Sequence, residues 1–308
     1  MSRIHDALKR AEKDRSIYKR LDEAHGTRPI VDDPVENDTG ENTIPFHARH
    51  QAAPTAPPGL LDPALARCSR VSWRPDAATM LSFGSGESVR GTEEFRTLRS
   101  RLYRLREERT LQKILVTSSM PKEGRSFVAA NLAQVLACQP GCRTLLVDGD
   151  LRSPRLHSAL GTSCTPGLGE YLLVEAEELE IIQRGQMENL FFIPSGRPIS
   201  GQSEIISNGR LKLLLDRLEP LFDWIVIDSS AAMPVTDSGL MAKWCDGVVM
   251  VVRSNGTSFD VARKALEKFR QEHLVGVVLN SIPSDTKPET ELYFRTSESG
   301  SSSPQAKG

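Results

Sequence analysis

Residues 118–127 read SSMPKEGRSF, between the apolar run KILVT (113–117) and the helix-like VAANLAQVLA (128–137). A strand that passes through a glycine-containing turn into a hydroxyl residue and a helix is the layout of a phosphate-binding loop. Such a turn can hold phosphate because its backbone N–H groups converge and the helix N-terminus adds partial positive charge. Gly124 would let the backbone approach the phosphates, Arg125 would meet their charge, and Ser126 would offer its hydroxyl to magnesium, with Lys122 and Phe127 completing the loop's expected contacts. Two positions depart from G-x-x-x-x-G-K-[ST]: Ser119 stands at the first glycine and Arg125 at the lysine. The bare pattern suggests a nucleotide without establishing one.

Two later stretches strengthen it. RTLLVDGDLRSPRL (143–156) ends an apolar strand in Asp148 and Asp150, followed by Arg152, and FDWIVIDSS (222–230) ends another in Asp228. Carboxylates at the carboxyl ends of parallel strands sit on the edge of an open α/β sheet where ligands bind. Three acids there repel one another unless a cation joins them, and magnesium held by Ser126, Asp150 and Asp228 while bridging phosphates would supply it. A single strand-end aspartate capping the next helix is commonplace. Three beside such a loop are not.

The rest of the chain fits this frame. TEEFRTLRSRLYRLREER (92–109) carries Phe95, Leu98, Leu102 and Leu105 at helical spacing beneath a basic face. Strands KILVTS, RTLLVDGD, LFFIPSG, DWIVIDS, GVVMVVR and LVGVVLNSI then alternate with helices expected near 125–138, 203–219, 236–244 and 258–272. Near-continuous Val, Ile and Leu runs separated by helices predict an α/β fold with a mainly parallel sheet covered by helices on both faces. Order is expected over 85–285. Before it, residues 1–24 predict an amphipathic helix, with Ile4, Ala7, Leu8 and Ala11 on one face, and the proline-rich 25–84 reads as a flexible linker. The helix is either simply solvated or a docking element for a partner or membrane surface. Residues 286–308 read as a disordered tail.

Composition narrows the function. Lys and Arg number 39 against 40 Asp and Glu, so nothing points to nucleic acid or another polyanion. Five scattered cysteines without a C-x-x-C pair read as reduced and structural in a cytoplasmic protein. His47 and His50 in FHARH lie in proline-rich chain, a poor setting for a metal site. The longest apolar stretches, DWIVID and GVVMVV, fall far short of the ~20 residues that cross a bilayer, and no charged-then-apolar leader opens the chain.

The loop TSSMPKEGRS, the strand end LLVDGDLR and the strand WIVIDSS together resemble the cytoplasmic kinase domain of bacterial tyrosine kinases, autokinases of capsule and exopolysaccharide assembly, within the wider deviant P-loop ATPases that include partitioning proteins. The likeness spans roughly 85–283. D-x-D-x-R carries most weight, because ordinary P-loop proteins lack it, and Met120 stands where partitioning ATPases carry a signature lysine. The resemblance implies a P-loop NTPase domain that uses ATP and Mg2+ to phosphorylate tyrosine. It implies phosphate and metal contacts at Gly124, Arg125 and Ser126, a metal shell completed by Asp150 and Asp228, and Asp148 as the group that orients or deprotonates the tyrosine hydroxyl. Arg253 and Asn280 fall where the family contacts the base. The E-x-x-R-x-x-R spacing of Glu93, Arg96 and Arg99 looks like the family's ring contact and implies a homo-oligomer. A membrane polysaccharide co-polymerase is the implied activating partner, recruiting the chain to the inner membrane face.

Three departures qualify the expectation. Arg125 is longer and planar where lysine presents a compact charge, so transition-state geometry is at stake, and Phe127 adds bulk beside the same loop. Ser229, Ser230 and Ala231 replace the usual Thr-Pro-Pro after Asp228. Tyr293 is the tail's sole tyrosine where the family has a cluster, and it is either an acceptor or incidental. A slowed autokinase and an ATP-binding pseudokinase scaffold both satisfy these features, with a partitioning-type ATPase behind them.

Overall fold

The computed structural model describes residues 63, 65–76, 79–81, 91–269 and 273–281. The expected N-terminal helix, His47 and His50, and the tail with Tyr293 lie outside the described residues.

Strands β1 (Ser69–Arg70), β2 (Lys113–Ser118), β3 (Thr144–Asp148), β4 (Gln183–Arg184), β5 (Leu190–Ile193), β6 (Trp224–Asp228), β7 (Gly247–Arg253) and β8 (Leu274–Asn280) form one sheet in the order β1-β4-β5-β3-β6-β2-β7-β8. The six strands from β5 to β8 run parallel, and only the β4–β5 pair is antiparallel. The apolar runs are continuous because alternate residues enter two separate cores. Leu115, Leu145, Val147, Ile225 and Ile227 face one. Ile114, Val116, Leu146, Val226 and Val249 face the other.

Helices α1 (Thr92–Glu108), α2 (Arg125–Ala137) and α3 (Leu156–Leu160) contribute Phe95, Leu102, Leu132, Leu136 and Leu156 to the second core. The predicted stripe on α1 is borne out, with Phe95 and Leu102 buried and Leu98 and Leu105 packed against them. Helices α4 (Leu168–Leu172), α5 (Gln202–Ser207), α6 (Arg210–Leu218), α7 (Asp237–Ala242) and α8 (Phe259–Leu266) supply the first core.

Two expectations need correction. The single helix expected over 203–219 is broken into α5 and α6 at Asn208-Gly209, where Asn208 Oδ1 accepts the Arg210 amide at 2.9 Å and competes with helical continuation. The linker expected over 25–84 does not extend through its last part. Leu65, Cys68 and Trp73 are buried, and β1 pairs with β4. The Arg74 and Asp76 amides donate to the Leu160 and Ala159 carbonyls, each at 3.0 Å. Buried Asn131 of α2 then ties down the next piece, accepting the Leu81 amide at 2.7 Å and donating to the Thr79 carbonyl at 2.9 Å. Apolar anchors spaced between prolines do not produce a periodic pattern, so composition reads this stretch as tether.

Candidate functional site

The turn between β2 and α2 is held from its own middle. Glu123 is buried, accepts the Met120 amide at 2.7 Å, takes the Thr257 hydroxyl and faces the Arg253 amide at 3.4 Å. Its carbonyl accepts Asn280 Nδ2 at 3.0 Å. The loop is thereby fastened to the ends of β7 and β8. Gly124 adopts φ 89°, and a Cβ there would lie 2.0 Å from Asn280 Nδ2, so the position requires glycine. Immediately after it α2 begins, and the first-turn amides of Arg125, Ser126 and Phe127 are the donors that a helix leaves for an anion.

The acids come from neighbouring strands. Parallel pairing sets Asp148 of β3 opposite Asp228 of β6. Gly149 donates to the Asp228 carbonyl at 2.8 Å, and a Cβ at Gly149 would lie 2.7 Å from that oxygen. The D-G-D spacing is therefore a steric requirement of bringing the two strand ends together. Asp148 accepts the Leu156 amide at 3.1 Å and the Asp150 amide at 3.3 Å. Burial, reinforced by the Asp228 charge, raises its carboxyl well above the usual range. Burial likewise pushes Asp228 up to about 6, against the opposing pull of Arg125 and the neighbouring Ser126 hydroxyl. Both acids hold protons more tightly than free carboxylates.

Arg125 points at these acids. Its Nη2 pairs with Asp150, and its Nε lies 3.3 Å from Asp228 Oδ1. Neither that Nε nor either buried Asp228 oxygen has a hydrogen bond of good geometry, so the contact is one of charge. Arg152, the arginine of D-x-D-x-R, turns the other way, donating to Asp237 at 2.6 and 3.2 Å and to Ser203 at 3.1 Å. It ties the loop after β3 to α5 and α7.

Among the described residues no three His, Cys, Asp or Glu side chains form a ready metal cage. Magnesium needs less, commonly one or two carboxylates with phosphate and water making up its octahedron. Asp228, with two unsatisfied buried oxygens, Asp150 and the Ser126 hydroxyl fit that ion in kind.

The remaining expected residues are placed as follows. Phe127 turns its ring onto Phe95, centroids 5.9 Å apart, so its bulk enters the α1–α2 contact instead of crowding the loop as expected. The turn after Asp228 is stitched by hydrogen bonds where proline would have stiffened it. Ser229 Oγ donates to the Val116 carbonyl at 3.1 Å, Thr117 Oγ1 to that of Ser230 at 2.9 Å, and the Ala232 amide to that of Ser118 at 2.8 Å. Arg253 and Lys122 line a cleft of about 700 Å³ beside the loop, whereas the Asn280 amide is committed to the loop backbone. Glu93 pairs with Arg96 on the exposed face of α1, and Arg99 donates to the Val135 carbonyl at 3.0 Å. Sequence reasoning missed Glu123 and Asp237. A lone carboxylate in a turn or at a helix start follows no period, and only their burial reveals them.

No protein-family model matches the chain. A Bacillus subtilis protein named tyrosine-protein kinase YwqD is 31% identical over 191 residues, which is 61% of this chain and 80% of the Bacillus protein. The succinoglycan biosynthesis transport protein ExoP of Rhizobium meliloti is 33% identical over 172 residues, 54% of this chain but 22% of that longer protein. Among solved structures, the chimerical protein CapA2B2 superposes with a TM-score of 0.63 at 30% identity, covering 70% of this chain and 94% of the chimera. On the YwqD match, which takes in most of that relative, this chain belongs to the bacterial tyrosine-protein kinase family.

Proposed function

We propose that this chain is an ATP- and magnesium-dependent tyrosine autokinase of capsule or exopolysaccharide assembly. The observation that carries the reading is the convergence of the α2 N-terminus, Ser126 and the acids Asp148, Asp150 and Asp228 at one edge of the sheet. Bound magnesium would neutralise charge on the transferring phosphates. The chain's own residues do the rest. First-turn amides of α2 and Ser126 hold the phosphates, and Glu123 fixes the loop that presents them. Asp148, whose proton affinity burial raises above that of a free carboxylate, takes the proton from the tyrosine hydroxyl. Arg253 and Asn280 are proposed for the base side, Asn280 acting through the loop, and Lys122 for nucleotide contact from the loop itself. Assembly through Glu93, Arg96 and Arg99, and recruitment to the inner membrane face by a polysaccharide co-polymerase, complete the proposal. No helix among the described residues is long and apolar enough to cross a membrane.

A second reading, a nucleotide-binding scaffold without transfer, is favoured by one observation: Arg125 is spent on Asp150 and Asp228. Equilibrium binding of a fluorescent ATP analogue, measured beside ADP release from ATP and magnesium, separates the two. The kinase binds and releases ADP, with release lost in Asp148→Asn. The scaffold binds and releases none.

A further inference from the structure

The same side chain that a P-loop aims at phosphate here contacts two carboxylates. Arg125 is the first residue of α2, directly after the glycine that shapes the loop. Its guanidinium reaches Asp150 through Nη2 and Asp228 through Nε, so two edges of one planar cation address two different acids. A lysine ammonium, a single point of charge, has no such fork. The cluster is shielded from water, with side-chain exposures of 11% for Arg125, 4% for Asp150 and 0% for Asp228. A second cation entering among these oxygens meets the guanidinium at close range and in a poorly screened setting.

We infer that Arg125 occupies the place of the divalent cation while no phosphate is bound, so that Asp150 and Asp228 take up a metal ion only together with a nucleoside triphosphate. The inference rests on the nucleotide-binding reading above and adds an order to it. Phosphate draws the guanidinium off the acids, and the metal follows into the oxygens it leaves.

The test is Mn2+ binding to the full chain followed by electron paramagnetic resonance, with and without a non-hydrolysable ATP analogue. With Mn2+ alone, Arg125→Met is expected to bind at least ten-fold more tightly than the wild type, and the analogue to restore tight binding to the wild type. Equal affinities for Mn2+ alone would overturn the inference. Should Arg125→Met fail to fold, the wild type still decides it. The Arg125 Nε resonance, assigned by its loss in Arg125→Lys, should be unmoved by Mg2+ alone and shifted by Mg2+ with the analogue, and a shift with Mg2+ alone contradicts the inference. Failure of the analogue to bind at all defeats the nucleotide reading instead.

Discussion

Asp148 and Asp228 illustrate how a site is maintained against the stability of its own fold. Both are buried strand-end carboxyls whose proton affinity is raised above the ordinary value of 3.8. A group that binds its proton more tightly in the fold than in the unfolded chain contributes fully below the unfolded value, and that contribution is lost as pH rises through the folded one. For Asp228 the loss falls between about pH 4 and 6. Asn at 148 removes the titrating carboxyl but keeps one acceptor oxygen where the Leu156 and Asp150 amides use two. That lost acceptor costs the variant the same at every pH, so the Tm difference between Asp148→Asn and the wild type, in chelator and without nucleotide, should move in the variant's favour by at least about 2 °C from pH 4 to pH 7.5. Gly124→Ala drives a methyl into Asn280 and should abolish ATP-analogue binding in titration calorimetry while lowering Tm. These residues were legible because strand-end acids and a loop glycine follow fixed spacings. The destination of the Arg125 guanidinium was not, since it depends on which carboxylates the parallel register gathers.

At the scale of elements, apolar runs were enough to place the strands from β2 to β8 except the two-residue β4, which like β1 is too short to leave a pattern. The division of 203–219 was written in Asn208-Gly209, a turn pair that the surrounding leucines outweigh when periodicity alone is counted. Asn131 is the element-scale residue with the largest expected effect. It is buried and joins α2 to the segment at 79–81 through two hydrogen bonds, and makes a third to the Phe127 carbonyl within its own helix. Asn131→Ala leaves the Leu81 amide without its acceptor and should cost about 1–3 kcal/mol, read by denaturant unfolding. The same variant should show faster protease cleavage before α1. Unchanged cleavage would mean that this stretch is held by other contacts.

For the whole molecule, the proposed assembly runs through the outer face of α1. Glu93 and Arg96 satisfy each other within one chain, and a partner would exchange that exposed i,i+3 pair for intermolecular ones. Arg96→Glu should reduce the mass measured by light scattering in the presence of MgATP and leave the fold unchanged by circular dichroism. The central claim is that this edge of the sheet transfers phosphate to tyrosine. Its most direct test is to incubate the full chain with magnesium and γ-labelled ATP, adding a co-polymerase cytoplasmic segment in a parallel arm, and to map phosphotyrosine by mass spectrometry. The account predicts labelled tyrosine in the wild type and none in Asp148→Asn. ATP bound without any labelled tyrosine in either arm would contradict it.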